Sequence, residues 1–136
     1  MLDVLALRTN GSVRVHAPDP VPDLLIDRLR IQHVLYAFAQ NAVDAGAETS
    51  ESASVQIDVS ADRYCVETGV TDSGRGVPAE AQAQLFRPFF TTKPQGTGLG
   101  LASSRAIIES HEGTIGFDNL PNGGSRFWFR LPLANG

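Results

Sequence analysis

The sequence predicts an α+β fold, a two-layer sandwich with helices covering one face of a mixed, mostly antiparallel sheet. Three observations predict it. The patterns run in the order strands, helix, strands, helix, strands, which places helices on one face of a sheet rather than between successive parallel strands. From Arg28 to Ala45 the apolar residues Ile31, Val34, Leu35, Phe38, Ala42 and Ala45 recur at spacings of three and four, apart from the adjacent Val34-Leu35 pair. That is the period of a helix with one buried face. Residues 54–60 alternate cleanly between polar and apolar, the period of a half-buried strand.

The composition fits one soluble domain over residues 1–136. Of these residues 42% are hydrophobic and 19% charged, with 11 Lys+Arg against 15 Asp+Glu and a formal net charge of −4. An acidic balance without a Lys/Arg run argues against a nucleic-acid partner, because neutralising phosphates takes clustered positive charge. Cys65 is the single cysteine, so no internal disulfide forms and no zinc spacing exists. No stretch approaches a membrane span and residues 1–8 lack the pattern of a signal peptide, so no membrane contact and a cytoplasmic location are expected.

Element by element, residues 4–8 and 12–16 read as short strands around Thr9-Asn10-Gly11. Pro18, Pro20 and Pro22 forbid regular structure after them. The long helix follows and is expected to stop near Gly46. Strands are predicted over 54–60 and 64–71, the second ending in the loop Asp72-Ser73-Gly74-Arg75-Gly76. Pro78 opens a short helical stretch through Leu85, and residues 87–97 are irregular. A helix over 99–110 turns Leu101, Ala102, Ala106, Ile107 and Ile108 inward. Strands over 114–118 and 125–131 are joined by the turn Pro121-Asn122-Gly123-Gly124. Cys65 reads as a small buried hydrophobe. Phe127, Trp128 and Phe129 alternate on the last strand, one side of which packs in the core, with ligand stacking as the other reading of Trp128.

Four segments could carry chemistry. Asn41 interrupts the long helix, where asparagine is a poor helix former. It is either an ordinary exposed residue or a hard oxygen ligand for Mg²⁺, which takes one or two protein oxygens and fills the rest with water and phosphate. Asp72 followed by Gly74 and Gly76 is either a plain turn or a carboxylate placed to accept a hydrogen bond from an exocyclic amine, with glycines admitting a flat ring. Gly96-Thr97-Gly98-Leu99-Gly100-Leu101 enters the last helix, where backbone N–H groups hold phosphate. It is neither a dinucleotide fingerprint nor a P-loop. Leu85-Phe86-Arg87-Pro88-Phe89-Phe90-Thr91-Thr92-Lys93-Pro94 suits a lid, with aromatic anchors and a cation for phosphate.

In this order the four segments closely resemble the catalytic, ATP-binding domain of sensor histidine kinases, within the gyrase, chaperone, histidine-kinase and mismatch-repair ATPase superfamily. Residues 32–45 are similar to its asparagine box, 72–76 to its first glycine box, 86–93 to its phenylalanine box and lid, and 96–101 to its second glycine box. Gly124-Ser125-Arg126-Phe127 is similar to its terminal Gly-Thr-x-Phe element. The resemblance covers about residues 27–133, and the short Thr-Thr-Lys lid is similar to that of oxygen-sensor-like, PAS-linked kinases.

The resemblance implies the Bergerat fold and the cofactors ATP and Mg²⁺. Asn41 would hold Mg²⁺, with Asp44 and Ala45 beside it. Asp72 would accept from the adenine amine, while Gly74, Gly76 and Val77 would admit the ring. Phe90, Thr91, Thr92 and Lys93 would form the lid. Gly96, Thr97, Gly98, Leu99, Gly100 and Leu101 would wrap the phosphates, with Lys93 as a clamp on the γ-phosphate and Ser125 reaching adenine through water. The implied activity is transfer of the γ-phosphate to a histidine on a separate dimerisation hairpin, with Asn41 and Lys93 as the catalytic residues. A response regulator is the implied partner of the full-length protein, and the domain alone is expected to be a monomer.

Two departures bear on the activity. ATPases and serine kinases of the superfamily carry Glu four residues before the metal-binding Asn, where it deprotonates water or a hydroxyl. Here that position is Ala37, which abstracts nothing. Ala37 also raises the alternative of a degenerate nucleotide-binding regulatory module without phosphotransfer. No phospho-accepting hairpin is present in these residues. His111-Glu112 is followed directly by Gly113 and is expected to cap the last helix rather than accept phosphate.

Overall fold

The computed structural model describes residues 12–16, 26–47, 54–74, 76–82, 84–87, 100–121 and 123–133, with backbone alone at 12–16, 44–47 and 54. The elements are β1 (Ser12–His16), α1 (Arg28–Ala47), β2 (Ser54–Ala61), β3 (Cys65–Asp72), α2 (Ala79–Gln82), α3 (Gly100–Ser110), β4 (Thr114–Asn119) and β5 (Ser125–Pro132). The proposed strand over 4–8, the proline loop, the loop over 48–53 and most of the lid lie outside the described residues.

Five strands form one sheet in the order β1-β2-β3-β5-β4. β1 runs parallel to β2, with α1 as the crossover that a parallel pair requires, and the other pairings are antiparallel. The expected α+β sandwich with a mixed, mostly antiparallel sheet is therefore present. α1 lies against β2, β3 and α3. Phe38, fully buried in the middle of α1, meets Phe127 at 5.7 Å and Phe129 at 5.8 Å between ring centroids. Such tilted and edge-on pairs add to the burial of the rings themselves. Alternation along β5 puts Ser125, Phe127, Phe129 and Leu131 inside.

The opposite face of the sheet is polar. Arg126 donates through Nη2 to Asp58 at 2.7 Å and to Glu67 at 2.9 Å, and Arg130 donates to Glu67 at 2.7 Å. The Arg126 guanidinium occupies the space a side chain at Gly69 would need. Trp128 lies across Gly116 in the same way, donates to Asp118 at 3.2 Å, and carries the Arg130 guanidinium 4.5 Å from its ring. It belongs to this face and not to the core.

Several boundaries shift for physical reasons. α1 continues through Gly46 to Ala47, since a glycine weakens a helix without ending it. β3 begins at Cys65 and ends at Asp72, because Asp62 Oδ1 accepts the N–H groups of Tyr64 and Cys65 and so makes the preceding hairpin turn. Cys65 is half-buried and its thiol donates to Asp62 at 3.8 Å, so it is not the core hydrophobe expected. α2 stops at Gln82, and residues 84–86 form turns that lead to Arg87. On α3 the buried residues are Ser104, Ile107 and Ile108, while Ala106 faces solvent. Burying the adjacent pair Ile107-Ile108 rotates Ala106 out, and Ser104 enters because its hydroxyl donates to Gly100 O at 2.8 Å.

Candidate active site

Asp72 closes β3 beside β5, in a pairing where Thr71 faces Arg126. It is 4% exposed. A carboxylate that deep needs donors, and two backbone N–H groups supply them: Gly74 N–H at 2.8 Å and Ser125 N–H at 3.2 Å, both to Oδ1. Gly124 makes this approach possible. Its φ is +86°, and a side chain there would collide with the Asp72 carbonyl oxygen.

The loop that follows is held by a residue the sequence did not single out. Asn119, the last residue of β4, accepts the Val77 N–H at 2.8 Å through Oδ1 and donates to the Val77 carbonyl at 2.8 Å through Nδ2. Gln82 donates to the same carbonyl at 3.1 Å. The Ser125 hydroxyl, buried, donates to Asn119 Oδ1 at 3.2 Å. Asp72, Gly74, Gly76, Val77 and Ser125 are thus gathered at one end of the sheet. Asn119 hides in the sequence because it borders a turn-forming Pro-Asn-Gly-Gly run, and its partner lies 42 residues away.

A second group of residues lies where α1 meets α3. Asn41 is half-buried, in place of the exposed position that its residue type suggests. One turn earlier, Ala37 faces Gly100, the first residue of α3: a Cβ built on Gly100 stands 3.9 Å from the Ala37 Cβ. The first-turn N–H groups of α3 have no partners within the helix, and the helix dipole makes this end favourable for anions. Leu101, half-buried, packs against the core. Asp44 and Ala45 lie in the last turns of α1, where the backbone alone is described. Of the lid, Leu85 and Phe86 are in place: Leu85 is buried, and Phe86 meets Phe127 edge-on at 6.4 Å. Phe90, Thr91, Thr92, Lys93, Gly96, Thr97, Gly98 and Leu99 lie outside the described residues.

His111 is engaged as a cap. Its Nε2 accepts the Asp27 N–H at 3.0 Å, so the ring proton sits on Nδ1, which donates to Ile107 O at 2.8 Å. Glu112 takes φ +62°, Glu112 N–H reaches Glu109 O and Gly113 N–H reaches Ile108 O, which completes a Schellman end to α3. The tie also fastens the end of α3 to the start of α1, where Asp27 Oδ1 accepts the Arg30 N–H.

A mixed sheet with a buried acid at one end, covered on one face by paired helices, places the chain in an α+β class of two-layer domains. Residues 26–135 match the family of histidine kinase-, DNA gyrase B-, and HSP90-like ATPases, and the chain belongs to that family. It is 35% identical over 129 residues to the sensor protein TdiS of Thauera aromatica, covering 93% of this chain and 24% of that protein. It is 39% identical over 118 residues to the sensor protein FixL of Bradyrhizobium diazoefficiens, covering 86% of this chain and 23% of that protein. The chain thus spans a minor part of these relatives. Among solved structures, the catalytic domain of the histidine kinase ThkA superposes with a TM-score of 0.80 at 37% identity, over 90% of this chain and 79% of that one. Full-length ShkA in complex with AMPPNP superposes with a TM-score of 0.76 at 32% identity, over 88% of this chain and 25% of that one. The fold is that of histidine kinase catalytic domains, and the chain is a catalytic ATP-binding domain of the kind carried by sensor histidine kinases.

Proposed function

We propose that this domain binds Mg-ATP and transfers the γ-phosphate to a histidine on the dimerisation hairpin of its kinase, which then serves a response regulator. The observation that carries the reading is the buried Asp72, with Oδ1 fixed by Gly74 and Ser125, in a domain that superposes on the catalytic domain of a histidine kinase. In this reading Asp72 accepts from the adenine amine, while Gly74, Gly76 and Val77 line the ring. Gly96, Thr97, Gly98, Leu99, Gly100 and Leu101 would receive the phosphates, with Lys93, Thr91 and Thr92 as the lid residues that would contact them. The residue type fits Mg²⁺: Asn41, half-buried one turn beyond Ala37 on α1, would hold the ion through its neutral side-chain oxygen, and a Mg²⁺ bound to phosphates needs little more from protein. When bound, the ion would neutralise charge on the phosphates.

Ala37 distinguishes the acceptors. A water or hydroxyl nucleophile has to lose a proton as it attacks, and alanine offers no base. A neutral imidazole attacks through a nitrogen that already carries a lone pair. The bond from the γ-phosphorus to its β-bridging oxygen breaks, a P–N bond forms, ADP leaves with the electron pair, and the ring N–H proton passes to solvent. The residues in place therefore favour an imidazole acceptor over hydrolysis. The site of action is the cytoplasm, where ATP is available. Among the described residues no helix is long and apolar enough to cross a membrane.

Incubating the chain with a histidine-kinase hairpin and Mg-[γ-³²P]ATP is expected to give acid-labile label on the hairpin. Asn41→Ala should remove both the transfer and the Mg²⁺ dependence of ATP affinity. A chain that binds ATP but leaves a competent hairpin unlabelled would be a nucleotide-binding regulatory module instead.

A further inference from the structure

We infer that Asn119 is a positioning residue for the base end of the nucleotide site, fixing the loop after Asp72 in the conformation that selects adenine. The inference rests on the reading of Asp72 as the acceptor of the base amine. Asn119 sits on β4, at the sheet edge, and its side chain is solvent-exposed. An exposed asparagine is ordinarily satisfied by water. This one instead donates to and accepts from the backbone of a single residue, Val77, at 2.8 Å in both directions. The same Oδ1 takes the hydroxyl of Ser125, whose own N–H is bonded to Asp72.

A closed chain of contacts results: Asp72 to Ser125, Ser125 to Asn119, and Asn119 to Val77, with Gly74 N–H returning to Asp72 at 2.8 Å. Gly76 completes it. At φ +84° it lies against Asn119, whose Oδ1 would be 3.0 Å from any Cβ there, so the missing side chain leaves room for the carboxamide to reach Val77. Val77 also packs against the core. Its backbone is thus pinned on both polar groups while its side chain is partly buried, so the backbone at Gly74 and at Val77 is fixed before a ligand arrives. Preorganisation of this kind lowers the ordering cost of binding.

The test compares ATP and GTP affinities by calorimetry for the unchanged chain, Asn119→Ala, Asn119→Asp and Asp72→Asn, with melting temperature recorded without nucleotide. Asn119→Ala is expected to bind ATP about three- to tenfold more weakly, the worth of a hydrogen bond or two at an exposed site, and to lower the ATP-to-GTP affinity ratio. Asn119→Asp keeps the acceptor for Val77 N–H and Ser125 but sets a carboxylate oxygen against the Val77 carbonyl. It should fold and show the same loss, which settles the matter if the alanine variant does not fold. A purely structural role would lower the melting temperature and leave the base ratio unchanged, and that result would overturn the inference. If Asp72→Asn also leaves the base ratio unchanged, the reading of Asp72 itself falls.

Discussion

The two ends of the candidate site are built by opposite means. At the base end, side chains do the fastening: Asp72, Asn119 and Ser125 are joined to one another and to the loop by bonds of 2.8–3.2 Å. At the proposed phosphate end, where α1 meets α3, two small residues stand together, since Ala37 and Gly100 face each other, and the donors would be backbone N–H groups. Side chains specify one shape and one pattern of donors and acceptors, which suits a base that has to be distinguished from other bases. Backbone donors read charge and little else, which suits phosphate groups common to every nucleotide triphosphate. Substitutions at the base end should therefore alter selectivity, and substitutions at the phosphate end should alter affinity without altering selectivity.

The largest expected effect comes from Asp72→Asn. An amide accepts less strongly than a carboxylate, and its NH₂ group faces N–H donors already present. Loss of a buried, charge-assisted hydrogen bond costs about 1.5–3 kcal/mol, so ATP affinity should fall about ten- to a hundredfold while GTP affinity holds or rises. Equal losses for ATP and GTP in calorimetry would break the division between the two ends.

A pair of glycine substitutions sharpens it. Gly124→Ala puts a Cβ at φ +86° and against the Asp72 carbonyl, and should destabilise the chain by about 1–3 kcal/mol in urea unfolding. Gly100→Ala adds a Cβ 3.9 Å from that of Ala37, an ordinary contact. It should stabilise the chain by about 0.4–1 kcal/mol through lost freedom in the unfolded state. In the proposed site the same methyl group stands at the start of α3, where phosphate would bind, so ATP and GTP should both bind more weakly to Gly100→Ala. Gain of fold with loss of affinity is the signature of a glycine kept for a ligand.

The difference between the two ends also explains what could be read from the sequence. The period of α1 placed Ile31, Val34, Leu35, Phe38 and Ala42 in the core, where all five are found, because periodicity is a local property. Asp72, Gly74 and Gly76 were legible as a unit since they share one loop. Asn119 was not, as its meaning depends on Val77 across the sheet order β3-β5-β4. Ser125 was read through the ligand alone, yet its hydroxyl is bonded to Asn119 and its N–H to Asp72. Ala106 faces solvent against expectation, and Ser104, which the sequence does not single out, is buried, because a helix with two adjacent apolar residues has two candidate inner faces and a hydroxyl bonded to its own backbone can occupy either.

The smallest effect concerns the polar face of the sheet, which should leave both ends of the site untouched. Burial alone would raise the Glu67 carboxyl, but hydrogen bonds and charge from Arg130 and Arg126 outweigh it and hold the group below its ordinary value of 4.5. A carboxyl held low in the folded chain is deprotonated there more readily than in the unfolded chain. Its contribution to stability is then complete above about pH 4.5 and lost as pH falls through the folded value. Urea midpoints from pH 7 down to pH 3 should show Glu67→Gln less stable than the unchanged chain at neutral pH, with the gap closing in the acid limb. Partial exposure of Glu67 and Arg130 keeps that gap small. ATP affinity at pH 7 should be the same in both chains. A change there would mean that the pairs around Arg126, one residue beyond Ser125 on β5, transmit strain through the strand to the Asp72 network.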